Sequence, residues 1–118
     1  MYKIPIDIDI LKLQNDVVSQ ITFGMNYILI SFNKGSIQFS GSFLFQFESK
    51  IYQRDEVYPV DFDFGLLKLL EKKIKNIFCN KERTSLTIEF EGNLVLFLKS
   101  DEMYESFEIN IDGRRVIV

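Results

Sequence analysis

Ile28 to Phe39 reads ILISFNKGSIQF, and Leu86 to Phe97 reads LTIEFEGNLVLF. In both, apolar residues alternate with polar ones, break at a polar turn holding one glycine, and alternate again, which is the period of a half-buried strand whose successive side chains face opposite ways. Phe32 and Phe90 are 58 residues apart while Gly35 and Gly92 are 57 apart, so the turns differ by one residue. Upstream, Val18-Ser19-Gln20-Ile21 stands before the first stretch as Ile74-Lys75-Asn76-Ile77 stands before the second. These parallels predict one domain over 1–118 containing two related three-strand units, about 17–48 and 74–109, as an internal duplication. Gly35, third in the turn Asn33-Lys34-Gly35-Ser36, suits a left-handed conformation, and Gly24 in the break after Thr22 is free to take a positive φ.

Outward from the hairpins, Phe43, Phe45 and Phe47 share one strand face and read as a core stripe. Ile4 to Ile10 alternates isoleucine with Pro5, Asp7 and Asp9 and reads as an edge strand, with a short helical turn over Asp9 to Lys12 as the competing reading. Ser49 to Asp63 has no sustained period, contains Pro59, and reads as a long loop of the kind that carries function. Phe64 to about Lys73 reads as the principal helix, capped by Asp61 or Asp63, with Leu66, Leu67, Leu69, Leu70 and Ile74 on its apolar face. Ser100 to Met103 is a second acidic loop, and Asp112-Gly113 is a hairpin turn before a terminal strand. The expected class is α+β: antiparallel sheet from two hairpin-containing units with one packed helix, the nearest variant being a barrel around that helix. Phe32, Phe90, Leu67 and Leu70 are expected in the core.

The totals exclude several functions. At 118 residues the chain fits one domain, and its 47% hydrophobic content with 12 Phe and 5 Tyr supplies a core. A net charge of -3 gives no electrostatic reason to bind nucleic acid or an anionic membrane. A lone cysteine, Cys79, makes no intrachain disulfide and fits a reducing compartment, and no apolar run is long enough to span a bilayer, so a cytoplasmic location is expected. No signal peptide is expected from MYKIPIDIDI.

The chain has no histidine, which removes the commonest proton-exchanging side chain and the usual triads and zinc sites. Asp7-Ile8-Asp9 and Asp61-Phe62-Asp63 pair carboxylates two residues apart, but no ligand spacing for calcium accompanies them. Neither a dinucleotide fingerprint nor a phosphate loop occurs. The expectation is a binding protein rather than an enzyme, with no cofactor and no metal.

Asn93-Leu94-Val95-Leu96-Phe97, followed by Tyr104-Glu105-Ser106-Phe107-Glu108-Ile109 and the terminal Asp-Gly turn, resembles a family of small bacterial proteins of polymorphic toxin loci, read as immunity proteins. The resemblance covers roughly 17–117, and departs from the pattern at Phe107, where tryptophan is more typical, and in ending at Val118 without a glycine-rich tail. It implies a protein that neutralises a cognate toxin domain by covering its surface. The candidate binding residues are then Tyr52, Asp55, Glu56, Tyr58 and Asp61 of the middle loop and Glu102, Tyr104 and Glu105 of the second, acidic groups that steer a basic partner beside aromatic anchors. A non-enzymatic interaction or regulatory domain is the alternative, and an enzyme without a recognised motif ranks third.

Overall fold

The computed structural model describes residues 3–101, 103 and 105–118. Ten strands follow in chain order: β1 (Gln20–Phe23), β2 (Ile28–Ser31), β3 (Gly35–Phe39), β4 (Ser42–Phe47), β5 (Lys50–Arg54), β6 (Ile74–Cys79), β7 (Ser85–Phe90), β8 (Leu94–Lys99), β9 (Phe107–Ile111) and β10 (Arg114–Ile117). They form two open antiparallel sheets, ordered β1-β2-β3-β9-β10 and β5-β4-β8-β7-β6. The two share one continuous core, to which Ile30, Ile37, Phe39 and Ile109 come from the first sheet and Phe43, Phe45, Ile88 and Leu96 from the second. The fold is therefore all-β, which corrects the α+β expectation, and neither sheet closes into a barrel.

Both hairpins of the opening stretches form, and the alternation read from them is the alternation of burial: Phe32, Phe90, Phe43, Phe45 and Phe47 are all buried. Each half of the chain runs the same course. Three strands make a meander in one sheet, and the next two cross over and pair as a hairpin in the other. The second meander receives β4 beside β8 just as the first receives β9 beside β3. The halves meet at an isolated antiparallel bridge between Val17 and Lys73, 56 positions apart. The hydrogen bonds around it repeat under exchange of the halves: Asn15 N–H donates to Ile74 O (2.8 Å) as Glu71 N–H donates to Val18 O (2.9 Å), and Val18 N–H donates to Lys72 O (3.0 Å) as Ile74 N–H donates to Asp16 O (2.8 Å). An approximate two-fold axis therefore passes through the bridge.

The principal helix is the largest correction. Over Phe64 to Lys73 only a four-residue 3-10 turn forms, Leu66–Leu69, preceded by left-handed Phe64 (φ 54°) and Gly65 (φ 76°) and ended by extended Leu70 and left-handed Glu71 (φ 68°). A period of three residues buries Leu66 and Leu69 and leaves Leu67 52% and Leu70 39% exposed, so these two are not core residues. The amides of Glu71 and Ile74 that a continuing helix would use are spent on the ladder between the halves. Tertiary pairing overrides a favourable helical pattern whose stability comes mostly from packing. The chain makes the matching turn at Ile10–Leu13, ILKL against LLKL, followed by left-handed Asn15 (φ 71°). That turn is the competing reading of the N-terminal segment, and the expected edge strand is absent. Pro5 contributes no N–H, its carbonyl accepts from Ile8 N–H in a turn, Arg83 holds the Ile4 and Pro5 carbonyls, and Ile6 is left 85% exposed.

Two glycines serve purposes other than those expected. Gly35 is the first residue of β3, with no positive φ; a Cβ there would stand 2.0 Å from the Asn110 carbonyl oxygen, so the residue permits close approach of β9. Gly24 likewise has no positive φ, and its missing Cβ makes room for the Tyr27 ring. Asp16, buried between the halves, accepts backbone N–H bonds from Val17 (2.8 Å), Asn33 (3.2 Å) and Lys34 (2.8 Å), tying the first hairpin turn to the bridge. Among the described residues no helix is long and apolar enough to cross a membrane.

Candidate functional site: an acidic cleft at the strand crossover

The expected long loop of 49–63 is shorter than the sequence suggests, because 50–54 pairs with β4 as edge strand β5. An edge strand exposed along much of its length shows no clear alternation, which hid it. The remaining link between the halves is fixed at two points. Val57 is fully buried and its N–H donates to Ser40 O (2.9 Å), while the Arg54 guanidinium donates to the carbonyls of Pro59 (3.0 Å) and Tyr58 (3.2 Å) and lies over the Phe64 ring. With Val57 turned inward, its neighbours Asp55, Glu56 and Tyr58 are exposed.

Further residues of the site come from the second crossover. The first half passes from β3 to β4 through Ser40 and Gly41 alone, whereas the second half passes from β8 to β9 through Ser100 to Ser106. The two crossovers touch: Ser40 and Gly41 both donate N–H to Ser106 O (2.9 and 3.0 Å), and a Cβ on Gly41 would meet Ser106 Cβ at 2.8 Å. The buried Ser106 hydroxyl accepts from Asp101 N–H (2.8 Å), and the Asp101 carboxylate accepts from Met103 N–H (2.7 Å).

The two segments line a cleft of about 530 Å³, with Asp55, Glu56 and Tyr58 from the link between the halves, Asp101, Glu105 and Ser106 from the longer second crossover, and Asn26, Ser40 and Gly41 completing it. Four carboxylates face it, and no lysine or arginine is among its described lining residues.

Of the residues singled out in the sequence, the cleft brings together Asp55, Glu56, Tyr58 and Glu105. Tyr52 lies elsewhere, its ring stacked on Phe47 and edge-on to Phe62, and Asp61 pairs with Arg54 at 3.5 Å. Glu102 and Tyr104 lie outside the described residues. Asp101 and Asn26 were missed. Asp101 was legible within the acidic Ser100 to Met103 loop, whereas Asn26 arrives from the β1–β2 turn by tertiary folding alone.

Elsewhere, exposed ion pairs tie the N-terminal segment to the β9–β10 hairpin. The hydrogen bond from Arg114 to Asp7 (3.0 Å) holds the Asp7 carboxyl below its ordinary pKa, and the hydrogen bond from Lys12 to Asp112 (2.8 Å) raises that of the lysine. Asp63 accepts from Gly65 N–H (3.2 Å) just before the second 3-10 turn, whose N-cap is Gly65 and which has no side-chain cap, so the expected capping by Asp61 or Asp63 is not formed. Among the described residues no group of three or more cysteines or carboxylates is placed to hold a metal ion. No protein-family model, curated protein or solved structure matches the chain.

Proposed function

We propose that this protein binds and neutralises a cognate bacterial toxin domain, taking a basic surface of the toxin into the acidic cleft. The observation that carries the reading is the convergence of the link and the longer crossover on one cleft with four carboxylates, an exposed tyrosine and no lysine or arginine among its described lining residues. Carboxylates arranged this way speed the approach of a basic partner and fix its orientation, while Tyr58 supplies apolar area beside them. The immunity reading also rests on the resemblance of the second hairpin and the segment following it to proteins of polymorphic toxin loci.

The test is co-expression with the C-terminal domain encoded by the neighbouring gene. That domain is expected to be toxic alone and harmless with this protein, and the rescue is expected to weaken when Asp55 and Glu56 are reversed to lysine. Absence of rescue by the parent chain overturns the function; full rescue by the reversed variant rejects the cleft as the binding surface.

A further inference from the structure

The two sheets of one molecule act as controls for each other, because register assigns every outward position of one a counterpart in the other. Ile37 and Leu96 occupy the same place in their meanders, paired with Ile30 and Ile88, so Gln38 corresponds to Phe97 and Ser36 to Val95. In the crossed-over hairpins Phe107 pairs with Phe39 as Phe43 pairs with Leu98, so Glu108 corresponds to Leu44. The same comparison sets Thr22 against Phe78 and Arg115 against Ile51.

The outer face of the second sheet is accordingly the more apolar: it carries Phe78, Phe97, Leu44, Val95 and Ile51 among polar residues, whereas the first carries only Leu29, where the second has Thr87, and Ile117, where the second has Gln53. Leu44, Phe97, Thr87 and Phe78 are cross-strand neighbours in one row over four adjacent strands, ended by Gln53 on β5, and the next row holds Val95 and Ile51 on either side of Gln46, with Glu89 and Asn76 beyond Val95. Ile51 is 58% and Phe78 48% exposed, and beyond Phe78 a groove at the β6 edge continues to Leu11 and Ile6. The fold does not require apolar residues at these five positions, since the equivalent sheet has Gln38, Glu108, Ser36, Thr22 and Arg115 there. A contiguous apolar surface of this kind marks an interaction site.

We infer that the outer face of the β5-β4-β8-β7-β6 sheet docks the same face of a second copy of this chain. Two sheets can pack face to face with their strands aligned, and the charges make this face complementary to itself. Lys99 pairs with Ser42 and Ser85 at one end of the face, and Glu89 pairs with Val95 at the other. A two-fold axis lying across the strands brings Lys99 of each copy toward Glu89 of the other, whereas an axis along the strands would oppose Lys99 to Lys99. Five strands about 4.8 Å apart and about five residues long cover on the order of 400 Å² per copy. That is about 800 Å² for both, under the roughly 1,200 Å² of a lasting interface, so the association is reversible and concentration-dependent.

Sedimentation equilibrium over roughly 5–500 µM, the range in which an interface of this size associates, tests the inference. The weight-average mass is expected to rise from 13.9 kDa toward twice that value. Phe97→Gln and Leu44→Glu install the residues that Gln38 and Glu108 provide on the other sheet, so the fold tolerates them, and a retained thermal midpoint verifies it. Each is expected to weaken association by about thirtyfold, as loss of a central anchor does. Glu89→Lys is expected to weaken it as well, and adding Lys99→Glu to restore it. A parent chain that stays monomeric across the range overturns the inference, as do folded Phe97→Gln and Leu44→Glu variants that associate like the parent.

Discussion

Val17 and Lys73 pair with each other across an antiparallel bridge, and each is the other's counterpart in the two halves of the chain. A bridge between equivalent residues requires a local two-fold relation, and the four surrounding backbone hydrogen bonds obey it. We propose an internal duplication as the origin of this arrangement. Each sheet takes three strands from one half and two from the other, so neither half completes a sheet alone. A chain cut by a protease site inserted between Asp55 and Glu56 is therefore expected to remain one particle in native buffer and to separate only in denaturant. Two fragments that separate without denaturant would contradict the shared core.

Phe90 and Leu67 test the correction to the core. Phe90→Ala is expected to cost about 3–5 kcal/mol through lost burial and an unfilled cavity, and Leu67→Ala, at a half-exposed position, under about 1 kcal/mol. Urea denaturation of the two variants measures both. Equal costs would mean that Leu67 belongs to a packed helix after all.

Gly35 and Gly92 separate two reasons for glycine. Gly92 has φ 80° with open space around it, so Gly92→Ala is expected to cost about 1–2 kcal/mol of left-handed strain. Gly35→Ala drives a methyl group against the Asn110 carbonyl and is expected to cost more, about 3 kcal/mol, because the β3–β9 pair must part. Thermal midpoints in the reverse order would contradict the close approach.

Asp16 accepts three backbone N–H bonds, and Asp16→Ala leaves those donors without their acceptor, an expected loss of about 3 kcal/mol. Asp16→Asn keeps one oxygen and is expected to fall between the parent and the alanine variant. Faster hydrogen exchange at Asn33 and Lys34 in both variants places the loss at the first hairpin turn; unchanged exchange there would contradict it.

Much of the sheet was legible in the sequence because burial alternates wherever one strand face meets the core, as at Ile28, Ile30, Ile37 and Phe39 or at Leu86, Ile88 and Phe90. The helix was misread because Leu66, Leu69 and Ile74 satisfy a helical period as well as they satisfy a 3-10 turn followed by a strand. Only the long-range bonds of Glu71 and Ile74 decide between them. Strand β5 was hidden because an edge strand has little to alternate. Within the cleft, Asp55, Glu56, Tyr58 and Glu105 were visible as charged and aromatic residues of irregular segments. Their meeting depends on the crossover at Gly41 and Ser106, which no local pattern announces.

The central claim is that the carboxylates of the cleft bind a basic protein partner, and calorimetric titration of the neighbouring toxin domain into this protein at two salt concentrations measures it directly. The account predicts a one-to-one complex per chain that weakens as salt rises. It also predicts that reversing Asp55 and Glu56 to lysine weakens binding by about a hundredfold while the thermal midpoint stays within about 2 °C of the parent. An affinity indifferent to both the reversal and salt would contradict it.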